Sequence, residues 1–164
     1  MAVSLASVCL LGTPVSAAVL TFEANLDGLQ EVPPNASPAF GLADLTLDTG
    51  SGFLTITTGT YQDLLGGATA VTLNDAAIGV SGPIILTLTL DTPGAATGTF
   101  SGSGTITAGQ VTDMMNVNTY VNIRSQVFPN GEIRGQLFQV PEPSTVLLTC
   151  GGLAGLAFVS RRRK

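Results

Sequence analysis

Histidine and tryptophan are absent from this sequence of 164 residues, and its two cysteines lie near the ends, at Cys9 and Cys150. Without histidine, neither a serine nor a cysteine nucleophile has its usual imidazole base. Zinc and copper sites built on imidazole or thiolate ligands are excluded from the middle of the chain. A disulfide framework is excluded there as well, so packing has to hold the fold. These absences predict a protein with no enzymatic activity and no cofactor.

Basic residues are also scarce, because four of the six occupy the last four positions of the chain. Residues 18–140 keep two arginines against ten acidic residues, a net charge of −8. Nucleic-acid binding requires a basic face, so we expect no nucleic-acid partner. An acidic surface suits solubility outside the cell or the binding of cations, and solubility is the favoured interpretation. Weak calcium binding at loops stays open, although no loop of alternating acids is present.

The first 17 residues have the pattern of an export signal. Residues 2–11 are apolar but too few to span a bilayer. Small residues follow at positions 15–17, where a signal peptidase cleaves, so we predict cleavage between Ala17 and Ala18 or one residue later. No lysine or arginine precedes the apolar stretch, and a buried N-terminal strand is the alternative.

Residues 140–164 contain three parts in a fixed order: the triplet Pro141, Glu142 and Pro143, an apolar stretch at 144–159, and a basic cluster. The prolines predict an extended, accessible linker. The apolar stretch predicts a tail helix that holds the protein in the membrane before processing. The basic cluster would stop transfer with its charges on the cytoplasmic side, and it consists of Arg161, Arg162, Arg163 and Lys164. A plain single-span anchor is the alternative.

This three-part tail resembles the PEP-CTERM sorting signal. The resemblance implies recognition by an exosortase, a membrane transpeptidase-like enzyme, with removal of the tail. It also implies a Gram-negative host that builds an exopolysaccharide matrix. We therefore expect signal peptidase and exosortase as partners during export. The expected location is the outer surface or the matrix, after transient anchoring in the inner membrane.

Between the two ends, apolar residues alternate along short segments that are separated by glycine-rich turns. Residues 41–47 and 53–60 flank Gly50-Ser51-Gly52 and predict a hairpin. A helical pattern is confined to residues 108–116. Thr, Val, Ile and Leu with recurring turns predict an all-β fold, a Greek-key-like antiparallel sandwich or barrel in a single domain.

Two further segments give specific expectations for the sheet. In residues 83–90, the side chains of Ile84, Leu86, Leu88 and Leu90 share one face by parity. Residues 97–100 and 104–107 flank a second glycine-rich turn, Gly102-Ser103-Gly104.

Two motifs stand out in the middle segment. The first is Leu26-Asp27-Gly28-Leu29-Gln30-Glu31-Val32-Pro33-Pro34. The second runs from Tyr120-Val121-Asn122-Ile123-Arg124-Ser125 to Phe128-Pro129-Asn130-Gly131-Glu132-Ile133-Arg134-Gly135-Gln136-Leu137. Together they resemble the CHRD domain over about residues 22–137, which implies extracellular interaction more than catalysis. Many members carry His-x-His where Thr72-Leu73-Asn74 stands here, and His where Arg124 stands.

We interpret the motif residues as structural, and they are Glu31, Pro33, Pro34, Asn122, Gly131, Glu132, Arg134 and Gly135. An acidic domain with two arginines gains little solubility from them. We therefore predict that the Arg134 guanidinium is partly buried and paired with a carboxylate, Glu31 first and Glu132 second. A ligand site is the alternative.

The sequence as a whole predicts a signal peptide at residues 1–17, a CHRD-like β domain at 18–139 and a sorting tail at 140–164. The favoured function is that of an exported, non-enzymatic surface or matrix protein that associates with exopolysaccharide or with itself. One alternative is a carbohydrate-binding module, although few aromatic residues are free to stack on sugars. The other is a redox sandwich resembling superoxide dismutase that has lost its metal histidines.

Overall fold

A computed structural model describes residues 17–141. The strands are β1 (Val19–Asp27), β2 (Phe40–Asp48), β3 (Phe53–Gln62), β4 (Ala68–Asp75), β5 (Ile84–Leu90), β6 (Gly98–Ser101), β7 (Ser103–Thr105), β8 (Thr119–Ser125), β9 (Ile133–Gln136) and β10 (Phe138–Val140). A short 3-10 turn follows β1 at Gly28–Gln30, and helix α1 spans Ala108–Met115. The predicted helix at 108–116 is therefore confirmed to within one residue.

Eight of the strands form a closed antiparallel barrel in the order β1-β2-β3-β6-β5-β4-β8-β9. The barrel closes because β1 pairs with β9 at Asp27 and Arg134 as well as with β2. Strand β3 lies beside β6, whereas the chain continues from β3 into β4, and this crossing is a Greek-key connection. The all-β prediction is confirmed, and the barrel is the form observed.

Alternation along the strands fills the interior of the barrel, as the predicted parity requires. On β1, Phe22, Ala24 and Leu26 are buried and their neighbours are not. The same pattern holds on β2, and the predicted hairpin is confirmed by the antiparallel register of β2 with β3. Helix α1 packs Val111 and Met114 inward, and Thr107 and Gln110 form a capping box at its start.

Strand β5 departs from the predicted parity at its beginning. Leu73 pairs with Leu86, but the next residue, Asn74, pairs with Ile84, so Ile85 forms a bulge. The extra residue moves the side chain of Ile84 off the inner face. Ile84 is 46% exposed as a result, whereas Leu88, which stays on the inner face, is 5% exposed. The expectation that Ile84 shares the inner face of Leu86, Leu88 and Leu90 is therefore wrong at that position.

The second glycine-rich segment does not connect a hairpin. Strands β6 and β7 both lie along β3, where β6 pairs at Thr60 and Tyr61 and β7 pairs at residues 53–55. Between them, the carbonyl of Gly102 accepts a hydrogen bond from the Ile56 N–H at 2.9 Å. Residues 98–105 therefore follow a single interrupted strand path, and the predicted turn is a break in that path.

The described ends of the chain meet at one end of the barrel. Ala18 and Thr49 exchange backbone and side-chain hydrogen bonds beside the β2–β3 turn. Strand β10 pairs with β1 so that Val140 faces Thr21, and Pro141 follows directly. Among residues 17–141, no helix is long and apolar enough to cross a bilayer. The predicted signal segment before Ala17 and the tail helix lie outside the described residues.

Candidate functional site

Polar side chains cover the outer face of three neighbouring strands, β4, β8 and β9. The register aligns Asn74 with Tyr120 and Gln136, and it aligns Thr72 with Asn122 and Arg134. The residues between them, such as Val71, Val121 and Ile133, point into the core. All six polar side chains are nevertheless buried, at 6% exposure or less. We call this surface the outer polar face.

Two loops account for that burial. The first covering loop, residues 28–39, places Glu31 against Asn122, whose Nδ2 donates to the two carboxylate oxygens at 3.0 and 3.3 Å. The second covering loop, residues 76–83, supplies backbone carbonyls to the side chains of Arg134 and Gln136. Outward-facing polar residues are thus removed from water by segments that also supply hydrogen-bond partners to Asn122, Arg134 and Gln136.

Arg134 is the largest buried side chain of the face, at 2% exposure. Its Nη1 donates to the carbonyl of Val80 at 2.8 Å, and its Nη2 donates to the carbonyl of Ala77 and to Gln136 Oε1, each at 3.1 Å. The guanidinium also lies over the ring of Tyr120, 3.5 Å from its centre. Burial lowers the pKa of Arg134, although Tyr120 and Glu31 oppose that shift.

The predicted pairing of Arg134 with a carboxylate is wrong, although the predicted burial is correct. Its hydrogen bonds go to two carbonyls and an amide, and Glu31 bonds to Asn122 instead. The two charges still interact at longer range. Burial raises the pKa of Glu31 to about 7, and Arg134, then the Val32 N–H, Asn122 and Arg124, hold it lower than burial alone would.

Glu132, the second predicted partner, ties loops together. It is fully buried, and its Oε1 accepts from the Ser37 hydroxyl and the Leu65 N–H, each at 2.6 Å. Its carbonyl accepts from Asn35 Nδ2 at 3.0 Å. Glu132 therefore fastens the first covering loop and residues 63–67 to the start of β9.

The glycines and prolines of the motif allow close approach. A Cβ on Gly131, where φ is +150°, would lie 2.6 Å from Asn122 Nδ2 and from both Glu31 oxygens. A Cβ on Gly135 would lie 2.7 Å from the Asn25 carbonyl oxygen on β1. Pro33 follows a cis peptide bond, and Pro34 lines the clefts beside the loop. The structure thus brings all eight motif residues together around β8 and β9.

A polar cavity of about 320 Å³ opens between the first covering loop and the outer polar face. It is lined by side chains that include Glu31, Asn74, Tyr120, Asn122, Arg124 and Arg134. Two of its buried polar atoms have no hydrogen-bond partner, Asn122 Oδ1 and Arg124 Nε. Sequence reasoning missed Arg124 as a site residue, although its parity with Asn122 on β8 was the available signal.

The positions where this chain departs from the CHRD pattern lie on the same face. Thr72 donates to Asn74 Oδ1 at 2.7 Å, and Arg124 lies two residues beyond Asn122 on β8. Thr, Asn and Arg at these positions do not form a transition-metal ligand set. Within residues 17–141, no group of three or more His, Cys, Asp or Glu side chains could hold a metal ion.

Of the residues predicted to be processed during export, those that the structure describes lie away from the outer polar face. Ala17, Ala18 and Pro141 lie at the shared end of the barrel. Glu142 and Pro143 lie outside the described residues, as does the basic cluster at 161–164.

Comparison with known protein families matches two segments of the chain. The PEP-CTERM protein-sorting motif matches residues 139–164. No curated protein and no solved structure matches significantly. The CHRD domain model matches residues 22–137, well over half of the sequence, and the chain therefore belongs to the CHRD domain family.

Proposed function

We propose that this chain is a non-enzymatic surface protein that presents its CHRD domain to an exopolysaccharide matrix. The observation that carries the proposal is the order of the two matches, because the sorting motif at 139–164 follows the CHRD domain at 22–137 directly. A PEP-CTERM motif implies exosortase-dependent export to the cell surface. We further propose that the protein reaches the outer surface of a Gram-negative cell after transient anchoring in the inner membrane.

The architecture supports a binding role over catalysis. The buried polar groups of Arg134, Gln136 and Glu132 hold loops in place through bonds to backbone groups. No histidine or cysteine is available within residues 17–141 as a nucleophile's base or a soft metal ligand. The cavity over β8 favours a small polar ligand, which keeps a carbohydrate-binding role as the second candidate.

Processing tests the export part of the proposal. The protein is expressed in its host with and without exosortase, and the intact mass of the envelope form is measured. We expect a mature chain that begins near Ala18 and ends near residues 141–143, and an exosortase-deficient host should retain the tail. Retention of Cys150 and the basic cluster in the bulk of the wild-type protein would leave a plain membrane anchor.

The distribution of the processed protein between matrix and medium tests the proposed association with exopolysaccharide. The processed protein is quantified in the matrix fraction of the host and of a strain that makes no exopolysaccharide. We expect it to shift to the medium when the polysaccharide is missing. Equal matrix retention in both strains would contradict polysaccharide association and favour self-association.

A further inference from the structure

Both arginines of residues 17–141 line the same cavity, in a domain whose net charge is strongly negative. Arg134 is committed to backbone carbonyls and to Gln136. Arg124 is only partly buried, its Nε has no partner, and its side chain makes no hydrogen bond or ion pair within residues 17–141. A guanidinium left in this state presents parallel N–H donors, which suit a planar carboxylate.

The same cavity offers acceptors beside that cation. Asn122 is 6% exposed, its Nδ2 donates to Glu31, and its Oδ1 has no donor. Glu31 itself accepts from Asn122 and lines the cavity wall. A buried acceptor without a donor is costly, and a ligand hydroxyl would satisfy it. A ligand that fits therefore carries a carboxylate and at least one neighbouring hydroxyl.

The volume of the cavity and the covered ring of Tyr120 restrict the class of ligand further. A cavity of about 320 Å³ is at the small end of ligand pockets and accommodates one pyranose ring. Tyr120 offers no free stacking platform on the side of Arg134, since the guanidinium covers that ring face, and its hydroxyl accepts from the Gly82 N–H. Recognition would thus depend on polar contacts. Acetate and acidic peptide side chains supply no adjacent hydroxyl, whereas a uronic-acid ring supplies both groups.

We propose that the cavity between Glu31, Asn122 and Arg124 is a binding subsite for one uronic-acid residue of an acidic polysaccharide. The carboxylate pairs with the Arg124 guanidinium, and a ring hydroxyl donates to Asn122 Oδ1. This inference rests on the proposed matrix association and names its ligand. The net negative charge of the domain restricts such binding to this cavity, where two arginines outnumber one carboxylate.

The test uses the full chain in mild detergent, titrated by calorimetry and ligand-observed NMR with methyl glucuronide and methyl galacturonide. Methyl glucoside serves as the neutral analogue and acetate as the carboxylate alone. We expect saturable uronide binding with a Kd on the order of 1 mM, and binding at least tenfold weaker for glucoside and acetate. Acetate or glucoside binding as tight as the uronide would overturn the assigned ligand class.

Variants locate the site. Arg124→Gln should weaken uronide binding by about tenfold or more, and Arg124→Lys should be intermediate because it keeps the charge without the paired donors. Gln139→Glu makes the same change in net charge on exposed β10, near the described ends of the chain and away from the cavity, and should bind like the wild type. Unchanged binding by Arg124→Gln, or no saturable uronide binding by a protein with the wild-type circular dichroism spectrum, would overturn the proposal. Processing and matrix retention are measured separately, so either can hold when this subsite fails.

Discussion

Arg124 and Arg134 lie on neighbouring strands and on the same face, yet their surroundings are opposite. Arg134 is 2% exposed, donates to the carbonyls of Ala77 and Val80, and lies against Tyr120. Arg124 is partly exposed, and its side chain makes no hydrogen bond within residues 17–141. This contrast makes Arg124 an internal control for the structural role of Arg134.

Replacing Arg134 with lysine should destabilise the protein strongly. The donors of lysine lie on a single nitrogen, which cannot occupy the positions of both Nη1 and Nη2, so buried acceptors are left unsatisfied beside the tyrosine ring. We expect Arg134→Lys to lower the free energy of unfolding by about 2–3 kcal/mol, and Arg124→Lys by less than about 0.5 kcal/mol. Urea unfolding followed by near-ultraviolet circular dichroism measures both values. Equal losses of unfolding free energy in the two variants would contradict a structural role for the hydrogen bonds of Arg134.

Glu31 should make stability depend on pH in a defined direction. Its pKa of about 7 in the folded protein lies above the ordinary value of 4.5, so the folded state binds more protons between these values. Stability from this group is therefore complete below about pH 4.5 and is lost as pH rises through about 7. The charged groups that face it, Arg134 and Arg124, keep their charge across that window.

The measurement compares unfolding free energies of wild type and Glu31→Gln at pH 5 and pH 8. We expect the wild type to lose on the order of 2 kcal/mol relative to the variant over this interval. Asp48→Asn is the contrasting variant, because the N–H groups of Gly50 and Ser51 lower the pKa of Asp48. Its stabilising effect should be lost toward acid pH instead. A pH-independent difference between wild type and Glu31→Gln would show that Glu31 titrates normally.

The sequence revealed which residues share a face but not which of them touch. On β8 and β9, period-two alternation puts Asn122, Arg124 and Arg134 on the face opposite the core-facing residues, and the structure agrees. The partner of Glu31 depends on the path of the first covering loop and on the close approach of Gly131 to Glu31 and Asn122. No periodicity encodes that path, so Asn122 could not be predicted as the residue that holds Glu31.

At the scale of elements, strands were predicted well and their irregularities were not. Regular alternation marks β1 and β2 and their burial. The bulge at Ile85 and the break between β6 and β7 come from how neighbouring strands align around a closed barrel. Such adjustments are set by pairing between distant segments, and the local pattern of residues 83–90 does not contain them.

Strand β5 supplies a direct test of the bulge. Leu88→Ala should lower the free energy of unfolding by about 2–4 kcal/mol, because a side chain that is 5% exposed leaves a cavity in the core. Ile84→Ala should cost less than about 1 kcal/mol, since Ile84 is 46% exposed. Both are measured by urea unfolding. Similar losses of unfolding free energy at the two positions would show that Ile84 and Leu88 share the inner face, and would contradict the bulge.

For the whole molecule, the positions of the chain ends determine how the domain is displayed. Val140 lies beside Thr21, and the β2–β3 turn is at the same end. The loop containing Asn130, between β8 and β9, lies at the opposite end. Nine residues of β1 separate the two ends by roughly 25–30 Å. The sorting tail begins at the end that holds Val140 and the β2–β3 turn. The first covering loop and the cavity therefore lie toward the opposite end of the barrel.

A tail-bearing form held in a membrane should therefore present Ser51 near the bilayer and Asn130 far from it. The full chain, with Cys9→Ser and Cys150→Ser, receives a single cysteine through Ser51→Cys or Asn130→Cys, both at exposed positions, and a fluorophore is attached. In vesicles with nitroxide-labelled headgroups, we expect at least twofold stronger quenching at position 51, because quenching falls steeply over roughly 25–30 Å. Soluble protein from which the tail has been removed is the control and should show no difference. Equal or reversed quenching in the anchored form would mean that the motif end, and the cavity with it, is turned toward the membrane.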